Sequence, residues 1–315
     1  MGQTKRVAVL GAGISGAVAA RRLIEAGLGV TVFDKGRGIG GRMATRRVAD
    51  SGLAFDHGAQ FMRAQGANFS ERLADWTRRG VAGAWDALGG SVGIPGMTAP
   101  VRDLLEGIDT RSDRTVTRIE RTDGVWRLAI AEGAEDDDFD AVAVSFPSPQ
   151  VAKLMKASGL ALPGLDVPVY APCWSLMLAC ERDCPLQAGP LSDGSGAIAQ
   201  MFREDSKPGR SAETVQVVVH ATPEWSRAHL EETREQVTRI LVGAIETSLG
   251  TAVRPIHASA HRWRYALVET ALNEDCIYES SLKLGACGDW CLGPRVEAAY
   301  DSGAALAARM IADLA

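Results

Sequence analysis

Three glycines near the N-terminus are spaced as in a phosphate-binding turn. Gly11, Gly13 and Gly16 follow a short apolar run and precede a helical pattern. In a G-x-G-x-x-G turn the first glycine permits a tight bend, the second admits a pyrophosphate close to the backbone, and the third lets helix and strand pack closely. Asp34 ends the next apolar run, where a carboxylate can accept a hydrogen bond from a ribose hydroxyl. The nucleotide contacts predicted from this pattern are Gly11, Gly13, Ile14, Ser15, Gly16 and Asp34.

A second glycine-rich stretch lies just beyond Asp34. Gly40 and Gly41 are followed directly by Arg42. A guanidinium can bind two phosphate oxygens at once, so a second flexible turn that carries one suits another approach to the same pyrophosphate. The alternative is a mobile basic loop. The additional contacts predicted from this stretch are Lys35, Gly41, Arg42 and Met43.

Apolar periodicity predicts the elements that must hold these turns. A strand over Arg6–Leu10, a helix over Ser15–Ala26 and a strand over Gly29–Phe33 form a βαβ unit. A glycine-rich turn in an unrelated α/β fold is the alternative. The other predicted elements are strands over Thr115–Ile119, Val125–Ile130, Phe139–Phe146, Trp174–Cys180, Thr214–His220 and Leu284–Cys287, and helices over Glu231–Leu249 and Val296–Leu314.

The order of these elements predicts an α/β fold with a Rossmann-type nucleotide-binding domain and an inserted β-rich α+β lobe. The chain has 315 residues, a length that suggests about two domains. We expect the nucleotide-binding domain to be discontinuous and to comprise 1–65, 95–155 and 280–315. The substrate lobe is expected to comprise 66–94 and 156–279.

Composition argues against several classes of protein. A net charge of −5 gives no basic footprint for nucleic acid or an anionic membrane. No stretch approaches the ~18 apolar residues of a membrane span. The six cysteines form no C-x-x-C pair, so we expect free thiols and no metal. The first residues run almost at once into a strand pattern without a signal peptide, and we therefore expect a cytoplasmic protein.

Several blocks of the chain resemble the flavin amine oxidase superfamily. The similarity is carried by Gly40–Arg42, Phe55–Phe61 and Gly285–Ala299. It implies FAD, with Arg42 near the phosphates, Asp289 on the ribityl chain or a phosphate, and backbone amides beside the flavin ring. The alternative for Asp289 is that it caps a turn. The further cofactor-binding residues expected are Ala59, Gln60, Phe61, Val116, Asp289, Arg295, Val296 and Glu297.

Other blocks resemble the renalases, and among them the bacterial branch. They are Asp34–Met43, His57–Phe61, Lys207–Arg210, His220–Ser226, His261–Ala266 and Cys287–Leu292. The resemblance runs over nearly the whole chain and implies non-covalent FAD. It also implies oxidation of the 2- and 6-dihydro isomers of reduced nicotinamide dinucleotides to NAD(P)⁺. A hydride would pass to flavin N5, O₂ would re-oxidise the flavin and yield hydrogen peroxide, and no protein acid or base would be needed.

The same resemblance implies a substrate face. Its expected members are Gln60, His261, Trp263, Arg264 and Tyr265. Core packing is the alternative for Trp263 and Tyr265, and a structural role is the alternative for His261. One departure from the family is Ala298, which stands where glycine follows the Arg-Val-Glu triplet. Its extra methyl group would shift the flavin ring or the substrate.

Three other functions remain open on the sequence. They are an amine oxidase of the same superfamily, a flavin dehydrogenase with an acceptor other than oxygen, and an FAD-binding sensor without turnover. Amine oxidases often use a tyrosine cage and a lysine that holds a water near flavin N5. This chain has only four tyrosines. Of its lysines, only Lys153, Lys156 and Lys207 lie in or near the inserted lobe, which is a minor argument against amine oxidation.

Overall fold

The N-terminal βαβ unit is present as the sequence predicts. The computed structural model describes residues 4–133, 137–187, 189 and 196–314. Strand β1 (Arg6–Leu10) leads through the glycine turn to helix α1 (Ile14–Glu25), and β2 (Gly29–Phe33) lies parallel to β1. Both strands are buried beyond their first residue, as expected for the centre of a parallel sheet.

The remaining strands are short in the outer parts of the chain and longer in the middle. They are β3 Thr45–Arg47, β4 Ala54–Asp56, β5 Ala82–Trp85, β6 Gly90–Gly93, β7 Asp109–Arg111, β8 Val116–Thr122, β9 Val125–Ile130, β10 Ala141–Val144, β11 Val169–Cys180, β12 Ile198–Arg203, β13 Val215–Ala221, β14 Pro255–Thr270, β15 Ile277–Glu279 and β16 Leu284–Ala286. The further helices are α2 Ala67–Arg78, α3 Ala99–Leu104, α4 Ser148–Ala157, α5 Pro223–Ala228, α6 Arg234–Leu249, α7 Asp289–Leu292 and α8 Val296–Leu314.

The larger sheet has the order β15-β16-β10-β1-β2-β7, and only its edge strand β15 is antiparallel. Alternation along β1 sends Val7 and Val9 to one face and Ala8 and Leu10 to the other. The first face packs against α1 and α8, and the second against the β8–β9 hairpin and α4. Because both faces are covered, these strands are continuous apolar runs in the sequence.

The middle of the chain forms an antiparallel sheet in the order β12-β13-β11-β14, so β14 lies at an edge. Helix α6 packs Val237, Leu241 and Ile245 on one face of this sheet. On the other face, Met177 packs with Phe55 of the β3–β4 hairpin. The smaller sheet is therefore held between its own helix and a hairpin that follows directly on the second glycine-rich turn.

Element boundaries differ from the predicted ones for identifiable reasons. Helix α6 begins at Arg234 because Thr233 caps it in a reciprocal capping box with Gln236. Strand β10 is shorter than the predicted 139–146 because Phe139 pairs with Trp126 of the neighbouring hairpin instead. Both differences are set by single hydrogen-bonding contacts that a periodicity argument does not detect.

The division of the chain into two domains stays a prediction, and two elements of the predicted substrate lobe contact the nucleotide-binding side of the structure. Strand β15 joins the larger sheet although it lies within 156–279. Helix α2 lies within 66–94, yet its Phe69 and Trp76 rings lie 5.2 and 6.3 Å from the ring of Tyr300 on α8. Helix α2 therefore packs on the nucleotide-binding side of the molecule.

All six cysteines are free thiols, and four of them are buried. In the part of the chain that the structure describes, no helix is long and apolar enough to cross a membrane. Among the same residues, no group of three or more His, Cys, Asp or Glu side chains could hold a metal ion.

The contact between α1 and α8 depends on a glycine. A Cβ atom at Gly303 would lie 2.2 Å from the carbonyl oxygen of Ser15, whereas one at Gly243 in α6 would meet nothing within 4 Å. We expect Gly303→Ala to lower the free energy of unfolding by about 1–3 kcal/mol through overpacking. Gly243→Ala is the matched control and should raise it by about 0.5–1 kcal/mol through helix propensity. Urea unfolding followed by circular dichroism measures both, and equal effects would contradict the helix contact.

Candidate functional site

The first glycine turn has the geometry that a phosphate site requires. Gly11 has a φ of +110°, and its N–H donates to the Phe33 carbonyl at 2.7 Å. A Cβ atom at Gly16 would lie 2.0 Å from the Gly11 carbonyl oxygen, so only glycine permits this approach of α1. At Gly13 a Cβ atom would meet nothing within 4 Å, and no side chain caps α1 there. The first amides of the helix, at Ile14 and Ser15, therefore have no capping side chain, which leaves them available to an anion.

The second glycine turn lies directly against the first. The Gly40 N–H donates to the Ala12 carbonyl at 2.8 Å, and Gly40 has a φ of +111°. A Cβ atom at Gly41 would be 3.6 Å from the Cα of Gly13. The two turns predicted to approach one pyrophosphate are thus neighbours in the structure.

Asp34 connects the two turns. Its Oδ2 accepts the N–H of Ala12 at 2.7 Å, and its Oδ1 accepts the N–H of Gly36 at 2.7 Å. A carboxylate has about four acceptor positions, so free positions remain for a hydroxyl group. Asp34 therefore fixes the turns and keeps the capacity to bind a ribose.

Arg42 and Asp289 form a bidentate ion pair with two bonds of 2.6 Å. Arg42 also donates to the Ala266 carbonyl at 3.1 Å. Burial lowers the pKa of Arg42, but the charge of Asp289 and its hydrogen bonds outweigh burial and raise that pKa overall. A Cβ atom at Gly58 would lie 2.1 Å from the Arg42 carbonyl oxygen, which accepts the Ala59 N–H at 2.8 Å. This contact joins three of the predicted cofactor blocks.

Glu297 is buried at the start of α8 and binds a different part of the chain. Its Oε1 accepts the N–H groups of Gln65 and Gly66 at 2.8 and 2.7 Å. Its Oε2 is buried and has no hydrogen-bond partner among the described residues. Arg295 lies 4.0 Å from that oxygen and is half exposed. Ala298, the departure from the family pattern, is buried in the first turn of the helix.

The remaining predicted cofactor residues surround the two turns at different depths. Met43 is buried, and its carbonyl accepts the Thr98 hydroxyl at 3.3 Å. Val116 begins β8 and packs on the second face of the larger sheet. Lys35 is exposed and donates to Gln150 at 3.4 Å, and Phe61 packs beneath the guanidinium of Arg63.

His57, His261 and Trp263 form a compact aromatic cluster. The ring of His57 lies 4.8 Å from that of His261 and 5.0 Å from that of Trp263, and the latter two are 4.4 Å apart. The Trp263 indole donates to the His57 carbonyl at 2.8 Å, and His57 Nδ1 donates to the Ala44 carbonyl at 3.0 Å. Burial lowers the pKa of His57 to about 4 and that of His261 to about 3, with a further contribution from the charge of Arg46.

Strand alternation divides the predicted substrate residues of β14 between two faces. His261 and Trp263 share one face of β14. The pairing of β14 with β11 is irregular between Trp263 and Leu267, and the Tyr265 ring in this stretch lies 5.5 Å from that of Tyr170. Arg264 forms two bonds of 2.7 Å with Glu231 at the surface. The structure therefore brings His261 and Trp263 to His57, places Tyr265 beside Tyr170, and does not bring Arg264 to the cluster.

Gln60 has its polar atoms committed inside the protein. Its Nε2 donates to the carbonyl oxygens of Asp56 and Gly58, and its Oε1 accepts from Lys207 Nζ at 3.0 Å. Only 5% of its surface is exposed. Gln60 therefore stabilises the turn that carries Ala59.

The structure reveals a buried ionic cluster that the sequence analysis missed. Lys207 Nζ lies 3.1 Å from Asp56 Oδ2 and also binds Glu204, and Arg210 lies 2.6 Å from the same Asp56 oxygen. Burial opposes ionisation of Asp56, but Lys207 and Arg210 lower its pKa to about 2. Burial raises the pKa of Glu204 to about 7 against the attraction of Lys207. The only signal in the sequence was the Lys207–Arg210 stretch, which resembles the renalases but carries no recognisable role.

Comparison with known proteins agrees with this arrangement. Residues 9–76 match the family described as NAD(P)-binding Rossmann-like domain. Renalase of Mus musculus is 26% identical over 301 residues, which cover 85% of this chain and 87% of that protein. Residues 84–311 match the family described as flavin containing amine oxidoreductase.

Solved structures share the whole fold. The fatty acid isomerase of P. acnes that produces CLA superimposes with a TM-score of 0.71 at 12% identity, over 98% of this chain and 99% of that one. Cyclohexylamine oxidase from Brevibacterium oxydans IH-35A gives 0.69 at 12% identity, over 99% and 100%. At these identities the likeness shows the fold alone. The match over 84–311 spans more than half of the sequence, and the chain therefore belongs to the flavin containing amine oxidoreductase family.

Proposed function

We propose that this protein is a renalase-like oxidase that converts 2- and 6-dihydro isomers of NAD(P)H to NAD(P)⁺. The observation that carries the proposal is the neutral cluster of His57, His261 and Trp263, beside the turn that the family resemblance places at the flavin. The relationship to a mammalian renalase over most of both chains supports it. The family itself implies FAD as cofactor.

The residues present fit a non-covalently bound FAD. Gly13 borders open space at an uncapped helix start, which suits a pyrophosphate. Asp34 retains acceptor positions for the adenosine ribose, and Arg42 retains two N–H groups beyond its bonds to Asp289 and Ala266. FAD would supply the redox chemistry by accepting two electrons with a hydride and passing the electrons to oxygen.

The chain's own residues would act by orientation. His57 and His261 are uncharged near neutral pH, so they offer hydrogen bonds to a substrate without adding charge. Trp263 would pack against a planar ring from the strand face that it shares with His261. Gln60 and Lys207 would act indirectly, because their mutual bond fixes the turn at Ala59. Hydride transfer from a carbon–hydrogen bond needs no group that carries a proton. The two histidines of the cluster are accordingly not protonated at pH 7.

An amine oxidase of the same family is the second candidate. The Tyr170 and Tyr265 rings, 5.5 Å apart, favour it because amine oxidases often use paired tyrosines. Lys207 argues against it, because its ammonium group is fully buried and bound to Asp56, Glu204 and Gln60. That lysine has no free position from which to hold a water at a flavin.

An anaerobic reduction experiment distinguishes the proposed activity from amine oxidation and from FAD binding without turnover. The FAD-loaded protein is mixed with a 6-dihydro nicotinamide isomer, with ordinary NADH or with simple amines, and the flavin absorbance is followed near ~450 nm. We expect rapid bleaching by the isomer alone, because the cluster would orient that ring. Bleaching by amines alone would overturn the proposal. Absence of bleaching by any of them would indicate a flavin-binding protein without this turnover.

Cofactor binding depends on the buried ion pair. We expect Arg42→Ala and Asp289→Ala each to weaken FAD binding by about 10- to 100-fold, because each leaves the partner's charge unpaired beside the predicted phosphate and ribityl positions. Fluorescence titration of the apoprotein with FAD measures this. Glu231→Gln is the matched control, because it breaks another bidentate pair, with Arg264, at the surface. Unchanged affinity in both site variants would contradict the cofactor assignment.

The aromatic cluster predicts how the reaction depends on pH. The pKa of His57 is about 4 and that of His261 about 3, so both gain protons only well below neutrality. We expect the rate constant for bleaching by the isomer to show no step from these groups between about pH 6 and 8. A step near pH 6.5 that disappears in His57→Gln or His261→Asn would contradict their neutrality.

A further inference from the structure

Three arginines near the aromatic cluster have no partner for their charge. Among the described residues, Arg37, Arg46 and Arg234 form no ion pair and no side-chain hydrogen bond, whereas Arg42 and Arg264 each bind a carboxylate in two places. The chain carries 39 acidic and 34 basic residues, so acidic partners are not scarce. The placement of these arginines indicates what they could bind.

Arg46 faces the strand that carries the aromatic cluster. It lies directly opposite Phe55 in the β3–β4 hairpin, so both side chains share one face of that hairpin. The Phe55 ring stacks on His257 of β14, with 5.6 Å between ring centroids. Alternation places His257 on the same face of β14 as His261 and Trp263. Arg46 is half-buried on the side of the hairpin that faces these side chains of β14.

Arg234 approaches β14 from the other side of the sheet. It is the first residue of α6, and one turn later the Thr238 hydroxyl accepts the Ala260 N–H of β14 at 2.9 Å. Among the described residues, β14 pairs with β11 alone, so its other edge is open in the sense that no strand covers it. Arg46 and Arg234 therefore flank the open edge of β14 from its two faces, close to His261.

The positive charges of these arginines act on one another and on His261. Burial lowers the pKa of Arg46, and the charges of Arg234 and then Arg37 lower it further. The charges of Arg46 and Arg234 also contribute to the lowered pKa of His261. Unneutralised like charges held together cost free energy, and an anion bound between them would recover it.

We propose that Arg46 and Arg234, with Arg37 beside them, form an anion subsite at the open edge of β14 that binds a phosphate of the substrate. This inference rests on the proposed function, and it names how that site would select its substrate. Guanidinium groups bind phosphate oxygens in pairs, so a phosphate-bearing dinucleotide is held with its ring toward His261 and Trp263. The same positive charge disfavours a cationic amine at this place.

Calorimetric titration of the FAD-loaded protein with ADP-ribose tests the subsite, because this probe carries the pyrophosphate and needs no redox step. We expect Arg46→Met and Arg234→Met each to weaken ADP-ribose binding by about 10-fold or more. Arg239→Met is the matched control, since it removes an exposed arginine from the same helix and should change the affinity by less than about 2-fold. Because Arg234 is exposed at a helix start, its variant carries the test even where Arg46→Met folds poorly.

A second titration distinguishes a phosphate of the substrate from the pyrophosphate of the cofactor. In it, the apoprotein of the wild type and of each variant is titrated with FAD. Unchanged FAD affinity in both variants supports a substrate subsite. Weakened FAD affinity would show that these arginines bind the cofactor's own pyrophosphate and would overturn the proposal. An equal loss in Arg239→Met, or a wild-type protein that does not bind ADP-ribose, would also overturn it. Each of these results is independent of flavin bleaching, so the subsite can fail while the proposed function stands.

Discussion

The ion pair between Arg42 and Asp289 is the contact on which the arrangement of the nucleotide-binding side depends. It joins residues that are 247 positions apart, one directly after the glycine doublet and the other at the start of α7. The same guanidinium binds the Ala266 carbonyl of β14. Two charges removed from water require good geometry to offset their desolvation, and the two short, parallel bonds provide it. One side chain thus contacts the second turn, the C-terminal segment and β14.

A second polar contact joins the antiparallel sheet in the middle of the chain to the turn at Ala59. Asp56 ends the β3–β4 hairpin, and Glu204, Lys207 and Arg210 come from the connection between β12 and β13. Because Lys207 also binds Gln60, this cluster fixes the turn from which Ala59 donates to Arg42. The two buried polar contacts are therefore linked through a few residues, and the lobes are joined by charges as well as by apolar packing.

The apolar periodicity and the glycine spacing of the sequence were enough to predict the elements that form through local preferences. The βαβ unit, the neighbouring glycine turns and most strands could be placed because strand, turn and helix preferences agree along Arg6–Phe33. The predicted role of Gln60 did not include its bonds to Lys207, because the two lie 147 positions apart and nothing local marks the pairing. The opposite orientation of Arg264 could have been predicted from the sequence, because it directly follows Trp263 and neighbouring residues of a strand point to opposite faces. Helix α2 joined the nucleotide-binding side through ring contacts with Tyr300 that only the folded chain brings together.

The register of β14 limits how this family member can change. Along 261–264 the strand alternates the rings of His261 and Trp263, which lie against His57, with Arg262 and Arg264, which bind Glu231 at the surface. A deletion of one residue within this stretch would turn guanidinium groups inward and rings outward, whereas a deletion of two would preserve the pattern. Length variation among relatives should therefore occur in steps of two here, or be absorbed by the irregular pairing near Ala171 and Cys173. The strand that presents the site thus tolerates substitution more readily than a shift of frame.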